Sequence, residues 1–483
     1  MKRYEILAQD IRQSVASGVL RVGDRLPSVR DASATHGVSP STVFKAYYLL
    51  EAQGVLRARE RSGYYVAGGL DALPLEIAAP ADEEAASSDV DVSATVLQVL
   101  GATLKQDGVS FGSAFLSPSA YPHGRLAKAM SSAVLRLDPT QSIEDTGNVE
   151  LRRAIALRYM ADGLQVHPDD IVITNGALEA LNLCLSALTT VGDAVIVESP
   201  TFYAALQSLE RNGLRAVEVA THPREGIDLV ALERALIQHT PRACWLMTNF
   251  QNPLGSSMSD SKKQALVALL ARYQVPLIED DVYGELYFGK SRPKPAKAFD
   301  LTGMVLHCSS FSKTLAPGYR VGWVLAGKFL SDLRRDKLTT SLATATPTQA
   351  AIVTYLEKGG YDRHLRVLRA NLSQQLNEML GAISRYFPEG TRTTRPVGGY
   401  FLWVELPVEV DTLALHRRAV AQGISIAPGP MFSAQKRFKN CLRLNYGSPW
   451  DSAREDAMKQ LGELMRSGMT GDGTSKLPDA KQT

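Results

Sequence analysis

Lys313 stands three residues beyond Ser310 in the stretch Ser309 to Trp323, SSFSKTLAPGYRVGW, which follows the apolar run Met304 to Cys308. A lysine amine forms an imine with an aldehyde once burial or neighbouring cations make it lose its proton readily. Ser310, Ser312 and Arg320 lie around it in sequence, two hydroxyls and a planar cation that suit a phosphate dianion. Pro317 and Gly318 make a turn that brings Arg320 back toward Lys313. The apolar run, bounded by Gly303 and Ser309, suits a buried strand of a parallel sheet. Lys313 then falls just past a carboxyl end, where open α/β sheets gather their ligands. A lysine in a Ser-rich surface loop would read the same way, and three further stretches decide against that.

The first, Pro276 to Tyr283 (PLIEDDVY), is a short apolar strand that ends in carboxylates. Pyridoxal phosphate needs an acid at its pyridine nitrogen, because a protonated ring is the electron sink that stabilises carbanions. Asp280 is the candidate acid, and Tyr283 is placed to hydrogen-bond the ring's phenolic oxygen, although paired aspartates after a strand also cap helices. The second, Cys244 to Gly255 (CWLMTNFQNPLG), puts Asn252 in a turn after a strand, as a donor to that same oxygen. Asn-Pro-x-Gly is by itself only a turn signal. The third, Ile171 to Leu181, is a strand, a Gly turn and an apolar-periodic helix, whose opening amides at Gly176, Ala177 and Leu178 form an anion site. Each stretch alone is ordinary; together they line up at the strand ends expected of one pocket.

The elements that must position these groups alternate from Asp193 onward, strand then helix, with the spacing of a right-handed βαβ wind. Helices around Ala350 to Met379 and a strand over Gly399 to Glu405 are expected to form a smaller C-terminal subdomain, with Phe401 and Trp403 read as strand core and not as ligand contacts. The chain, 483 residues with 45% hydrophobic and 21% charged, has room for two or three domains and the make-up of a soluble globular protein. Its four cysteines, at 184, 244, 308 and 441, have no metal spacing and read as reduced core residues. The eight histidines do not cluster, so no metal site is expected. No signal pattern and no apolar run near 18 residues is present, which points to the cytoplasm and away from the membrane.

The charge is informative once divided. Residues 1–66 hold ten Lys/Arg against six Asp/Glu, whereas residues 67–93 hold seven acidic residues and no basic one. A small basic module followed by an acidic, Ala/Pro-containing stretch suits a nucleic-acid-binding head on a solvated linker. Within the head, Tyr4 to Ser17 predicts a helix with Leu7, Ile11 and Val15 on one stripe. A second helix runs from Ser28 to about His36 and breaks at Gly37, and Ser39 with Pro40 opens a third whose Val43, Ala46, Tyr47 and Leu50 face inward. That is a helix-turn-helix with Ser41, Thr42 and Lys45 on the exposed start of its second helix. Val55 to Arg59 and Tyr64 to Val66 read as strands around Glu60 to Gly63, a wing carrying Arg59 and Arg61 toward phosphate or the minor groove. A helix pair with a hairpin can also be a plain interaction module.

Two resemblances carry the reading further. Gly176 to Gly447 resembles a fold-type I pyridoxal-phosphate aminotransferase, near the aminoadipate/kynurenine branch. The resemblance implies Lys313 as internal aldimine, Asp280 at the pyridine nitrogen, Asn252 and Tyr283 at the phenolic oxygen, and Ser310 and Arg320 at the phosphate. Phe202, in SPTFY after the strand Ala194 to Glu198, takes the place of an aromatic stacked on the ring. Arg443, in CLRLNYG, takes the place of an arginine that clamps the substrate α-carboxylate. A phosphate-reaching tyrosine that the family supplies from the partner subunit falls at Ser142 here. At the other end, GDRLPSVRD, VSPSTVFKAYYLLEAQGVL and RSGYYV resemble a GntR-type winged helix, in which the residue matching Arg30 and the start of the recognition helix touch DNA. The expected contacts are Arg30, Ser39, Ser41, Thr42, Lys45, Arg59, Arg61, Ser62 and Gly63; Pro40 and Phe44 stand where relatives often carry arginine.

The combination resembles the MocR branch of the GntR regulators. It implies an α+β winged helix-turn-helix head (1–68), an acidic linker (69–93), an α/β fold-type I aminotransferase-like domain with a mainly parallel sheet and a smaller C-terminal subdomain (94–467), and a disordered tail (468–483). The implied partners are pyridoxal 5'-phosphate, operator DNA, an amino acid or amine effector sensed through external aldimine formation, and a second copy of the chain. The competing reading is an active aminotransferase for an α-amino acid, its head secondary.

Overall fold

The computed structural model describes residues 3–16, 19–21, 23–52, 55–59, 63–66, 73–80, 84–104, 108–137 and 145–469. It divides into two compact units, one of residues 1–75, 373–392 and 449–483, the other of 76–372 and 393–448. The C-terminal helices expected within residues 94–467 are therefore shared between the two.

In the first unit the head is built from helices Arg3–Ala16, Val29–His36 and Pro40–Ala52 and an antiparallel hairpin, Leu56–Arg59 with Gly63–Val66. Ser28 caps the second helix by accepting from the Asp31 amide, and Gly37 ends it in the left-handed region at φ 61°. Ser39 accepts from the Thr42 amide at 3.3 Å and opens the third. The predicted stripes meet: Leu7, Ile11 and Val15 share one buried cluster with Val43, Ala46, Tyr47 and Leu50. The Tyr47 hydroxyl donates to the Pro27 carbonyl at 3.0 Å, which fixes the entry to the helix pair. Arg25 bridges Tyr65, so a short third segment lies along the wing.

The second unit is organised by a nine-stranded sheet. Its main path runs Ser87–Asp89, Arg215–His222, Ala194–Ser199, Ala243–Leu246, Leu277–Asp280, Val305–Ser310, Gly322–Leu325 and Ile171–Thr174. The five strands from Arg215–His222 to Val305–Ser310 are parallel, with the helices Tyr203–Arg211, Leu229–His239 and Asp260–Arg272 between them in sequence. Gly322–Leu325 runs antiparallel to both of its neighbours, pairing Gly322 with Ser310 on one side and with Thr174 on the other. That reversal matters for the chemistry, because residues just before Gly322 arrive at the edge where the parallel strands end. Core side chains fill both faces, as the near-continuous apolar runs of these strands require.

The described part of the acidic stretch, residues 73–80 and 84–93, is more than the solvated linker expected. Ser87–Asp89 forms an edge strand antiparallel to Arg215–His222, and the Val92 and Ser93 amides both donate to Glu210 at 3.0 Å, where helix Ser93–Leu104 begins. Earlier in the stretch Glu76 pairs with Arg224, and the Ile77 amide donates to the Thr393 carbonyl at 3.2 Å. The second sheet of this unit carries Phe401–Glu405 against Cys441–Asn445, with Trp403 opposite Arg443. All four cysteines are buried and free, Cys184 and Cys308 sulfur to sulfur at 3.6 Å.

Candidate functional site

Strand geometry brings the polar groups to one edge. Asp280 closes Leu277–Asp280, Ser310 closes Val305–Ser310 in the next parallel strand, and Lys313 follows in the turn after it. Arg320 comes back through the short 3-10 turn Pro317–Tyr319, in the left-handed region at φ 52°, two residues ahead of the antiparallel strand. Its guanidinium donates to the Ser312 hydroxyl and to the Asn175 carbonyl, both at 3.2 Å. Gly176 has φ 85°, and a Cβ there would lie 2.2 Å from the Arg320 Nη2, so only glycine lets the cation sit against this turn. The structure thus joins Ser310, Ser312, Arg320 and the Ile171–Leu181 turn, the expected anion-binding set. The Gly176 amide itself is taken by the Thr174 carbonyl at 2.8 Å, contrary to expectation. The open amides are those of the first helical turn, at Ala177 and Leu178.

Behind them lies a fully buried acid. Asp280 Oδ1 has no hydrogen-bond partner among the described residues, and burial, reinforced by the neighbouring Asp281 carboxylate, pushes its pKa up to about 7. Asn252 Nδ2 is likewise buried and unpartnered, while its Oδ1 accepts from Arg443 at 3.0 Å. Tyr283 is buried, edge-on to Tyr400 and Phe401 at 5.3 and 5.6 Å between ring centroids. The Lys313 amine is drawn down to about 7, first by burial, then by the Arg443 charge, with Arg320 adding to the effect against the opposing pull of Asp280. Lys313 is therefore primed to act as a neutral amine near neutral pH.

The strand that carries Asp280 is held by a polar network on its far side. Glu279 accepts from Thr248 and from the Ala296 amide at 2.6 Å and pairs with His307 at 2.8 Å; the other His307 nitrogen meets the Tyr159 hydroxyl at 2.7 Å, to which Trp323 donates at 2.9 Å. Asp281 receives Asn249 at 2.9 Å and Arg292 at 3.1 Å. Each buried charge thus has partners, the condition under which such a cluster is tolerated.

Arg443 departs from its expected availability. It is fully buried and donates to the Gly112 carbonyl at 2.7 Å and the Ser113 carbonyl at 3.2 Å, with its guanidinium carbon 4.2 Å from the Phe401 ring centroid. A buried cation must find acceptors, and the segment Gly112 to Phe115 supplies them. The same segment covers Lys313, whose amine donates to the Ala114 carbonyl at 2.9 Å and lies 4.2 Å above the Phe115 ring. Tyr400 donates to that carbonyl at 2.9 Å, and Asn445 holds the Ser113 and Phe115 carbonyls at 2.9 and 2.7 Å. This strap was invisible in the sequence, since it acts through backbone carbonyls.

One aromatic reading holds and one changes. Phe401 is buried strand core as expected, and its ring also lies against the Arg443 cation. Phe202 is half-buried at the N-cap of helix Tyr203–Arg211 with its ring 4.8 Å from Tyr203, and it is the buried Tyr203 whose ring lies 6.0 Å from the Arg443 guanidinium carbon. The adjacent aromatic in SPTFY was the available signal.

On the head, Arg30, Ser39, Ser41 and Lys45 are exposed and Thr42 half-buried, with the Ser39 hydroxyl 3.0 Å from that of Ser41 and 2.8 Å from that of Thr42. Gly63 opens the second wing strand at φ 100°, with a Cβ there 3.6 Å from the Arg25 Nε, so Arg25 is a wing cation that sequence reasoning passed over. Arg59 is placed by its backbone at the end of the first wing strand. Arg61, Ser62 and Ser142 lie outside the described residues. Among the described residues no helix is long and apolar enough to cross a membrane, and no cluster of His, Cys, Asp and Glu could hold a metal.

Comparison with known proteins fits both sets of groups. Residues 3–66 match the family "Bacterial regulatory proteins, gntR family" and residues 116–457 match "Aminotransferase class I and II". An uncharacterized HTH-type transcriptional regulator of Escherichia coli (strain K12), YdcR, is 47% identical over 468 residues, 96% of this chain and 99% of the relative. The chain belongs to the MocR-type regulators. A second such regulator of the same organism, YjiR, is 37% identical over 97% of this chain and 100% of its own. Among solved structures, the multiple substrate aminotransferase of Thermococcus profundus is 28% identical with a TM-score of 0.71, covering 78% of this chain and 96% of that one. The α-aminoadipate aminotransferase LysN of Thermus thermophilus, solved with N-(5'-phosphopyridoxyl)-L-leucine, is 29% identical with a TM-score of 0.70 and covers 78% and 95%. In this MocR-type chain a gntR head is thus fused to an aminotransferase class I and II fold, whose family implies pyridoxal phosphate.

Proposed function

We propose that this chain is a pyridoxal 5'-phosphate-dependent transcription regulator, a cytoplasmic homodimer that binds operator DNA through its heads and takes an amino acid or amine effector at Lys313. The observation that carries the cofactor is the pair of orphaned buried atoms, Asp280 Oδ1 and Asn252 Nδ2. One is an acceptor suited to a pyridinium N–H and the other a donor suited to a phenolate oxygen, and an apolar core would not leave either unpaired without cause.

In this reading Ser310, Ser312, Arg320 and the Ala177 and Leu178 amides hold the phosphate, Gly176 leaves room for the cation, and Tyr283 joins Asn252 at the phenolic oxygen. Phe202 or Tyr203 provides the aromatic wall. When bound, the cofactor supplies an aldehyde whose amine partner can be exchanged between Lys313 and a free amino compound. Asp280 keeps a charge opposite the ring nitrogen, and Arg443 receives the effector's carboxylate in its planar fork. Both Lys313 and Arg443 must first leave the carbonyls of Gly112 to Ala114, so ligand arrival releases the strap. On the head, Arg30, Ser39, Ser41, Thr42, Lys45, Arg59, Arg61, Ser62 and Gly63 form the DNA-facing set. Effector binding then alters operator affinity by favouring one strap position over the other.

The test is the visible spectrum of the purified protein with added pyridoxal phosphate, for wild type and Lys313→Ala, followed by titration with amino acids and amines and by operator binding. A lysine-dependent band that one class of amine alters, together with a shift in operator affinity, is the expected result. Rapid, repeated interconversion with an α-keto acid, at rates useful to metabolism and without any effect on DNA binding, would favour the aminotransferase instead.

A further inference from the structure

The recognition helix Pro40–Ala52 carries an unusual outer face. Its inner face, Val43, Ala46, Tyr47 and Leu50, is fully used by the head's core. Outward, one helical turn apart, stand Phe44 and Tyr48, 53% and 60% exposed, their rings 6.5 Å apart and within 16° of parallel. Ser41, Lys45 and Ser39 surround them, and Arg30 is exposed on the preceding helix. An aromatic pair left in water among cations and hydroxyls, on the helix that a gntR head presents to DNA, adds nothing to the head's own core. A phenyl ring has no donor or acceptor and cannot read the hydrogen-bond pattern of a base edge. The one apolar group in the major groove is the 5-methyl of thymine.

We propose that Phe44, propped by Tyr48, is a specificity-determining residue of the head and packs on the 5-methyl group of a thymine in each operator half-site. The inference rests on the DNA-binding reading above and deepens it. Lys45, next to Phe44 in sequence, supplies phosphate attraction without sequence information, so the two residues divide affinity and selectivity between them. The near-parallel Tyr48 ring backs Phe44 on one side, within the range of an offset aromatic pair.

The experiment selects binding sites from random duplex DNA with the full-length protein, wild type and Phe44→Ala. It then replaces each thymine of the selected site by uracil, which removes the methyl group alone. With wild type, one thymine per half-site is expected to lose about fourfold in affinity on replacement, the worth of one buried methyl-sized group. Phe44→Ala abolishes that loss and the thymine preference in selection, while its salt dependence stays that of wild type; Phe44→Leu, still apolar, retains the uracil loss. The proposal is overturned if uracil is neutral throughout a tightly bound site, or if Phe44→Ala keeps the same uracil loss. Absence of any sequence-selective DNA binding by wild type would overturn it together with the regulator reading, an outcome distinct from the other two.

Discussion

The head and the pocket use polar residues in opposite ways. In the head the groups set out for a ligand are exposed, at Arg30, Ser41 and Lys45, and the buried part is almost wholly apolar. In the pocket the working groups are buried: Asp280, Asn252, Tyr283 and Arg443 are each nearly or fully inaccessible. Exposed cations are already satisfied by water, so they tolerate change and act by long-range charge. Buried polar groups hold each other in place, and changing one disturbs its partners. Burial therefore fixes where the pocket's polar groups stand, while the head's exposed cations suit a polyanion of any sequence and leave selectivity to other groups on the same face.

The sharpest way to break this contrast is Lys313→Ala. It is expected to abolish the lysine-dependent absorbance band completely while leaving effector-free DNA affinity within about twofold, since Lys313 is one of several groups that hold the Gly112 to Phe115 strap. A collapse of DNA binding in that variant would show that the Lys313 contact with the Ala114 carbonyl by itself sets operator affinity, before any effector arrives. Next in size is a pH effect: Lys313 must be neutral to attack an aldehyde, and its pKa is drawn down to about 7. Below that pH the amine is protonated, so the rate of cofactor capture by the apoprotein, followed by absorbance after mixing, should rise about a hundredfold from pH 5 to pH 8 and flatten above. An unperturbed lysine would keep rising toward pH 10. Arg443→Gln should weaken α-amino acid effectors by about 10- to 100-fold, the size of a charge-assisted hydrogen bond, and leave simple amines unchanged in the same spectral titration. The smallest effect belongs to the head: Lys45→Ala should reduce the slope of log affinity against log salt by about one, as expected when one phosphate is no longer neutralised, and should do so uniformly across sequences.

The same contrast explains what could be read in advance. Lys313, Asp280, Asn252 and Arg320 were legible because each is a polar residue in a turn or strand end beside an apolar run, a pattern that burial imposes. The Gly112 to Phe115 strap was not, because a carbonyl oxygen is common to every residue and leaves no mark of its use. Nor was the edge strand Ser87–Asp89, whose Ser and Asp residues are poor strand formers; its pairing with Arg215–His222 overrides local preference. The burial of Phe401 to Val404 left no alternation to show which of these side chains meets Arg443. In the head, caps and periodic stripes fixed the helices closely, whereas Arg25 was missed because its place beside Gly63 arises only when the chain folds back along the wing.

The contacts of Glu76 with Arg224 and of Ile77 with Thr393 join parts of the chain that are far apart in sequence, the first across 148 residues. Closing so long a loop costs chain entropy before the pairing returns anything, so contacts of this kind belong to the end of folding rather than its start. The segment around Glu76 and Ile77 is thus expected to dock on strands and helices that have already formed.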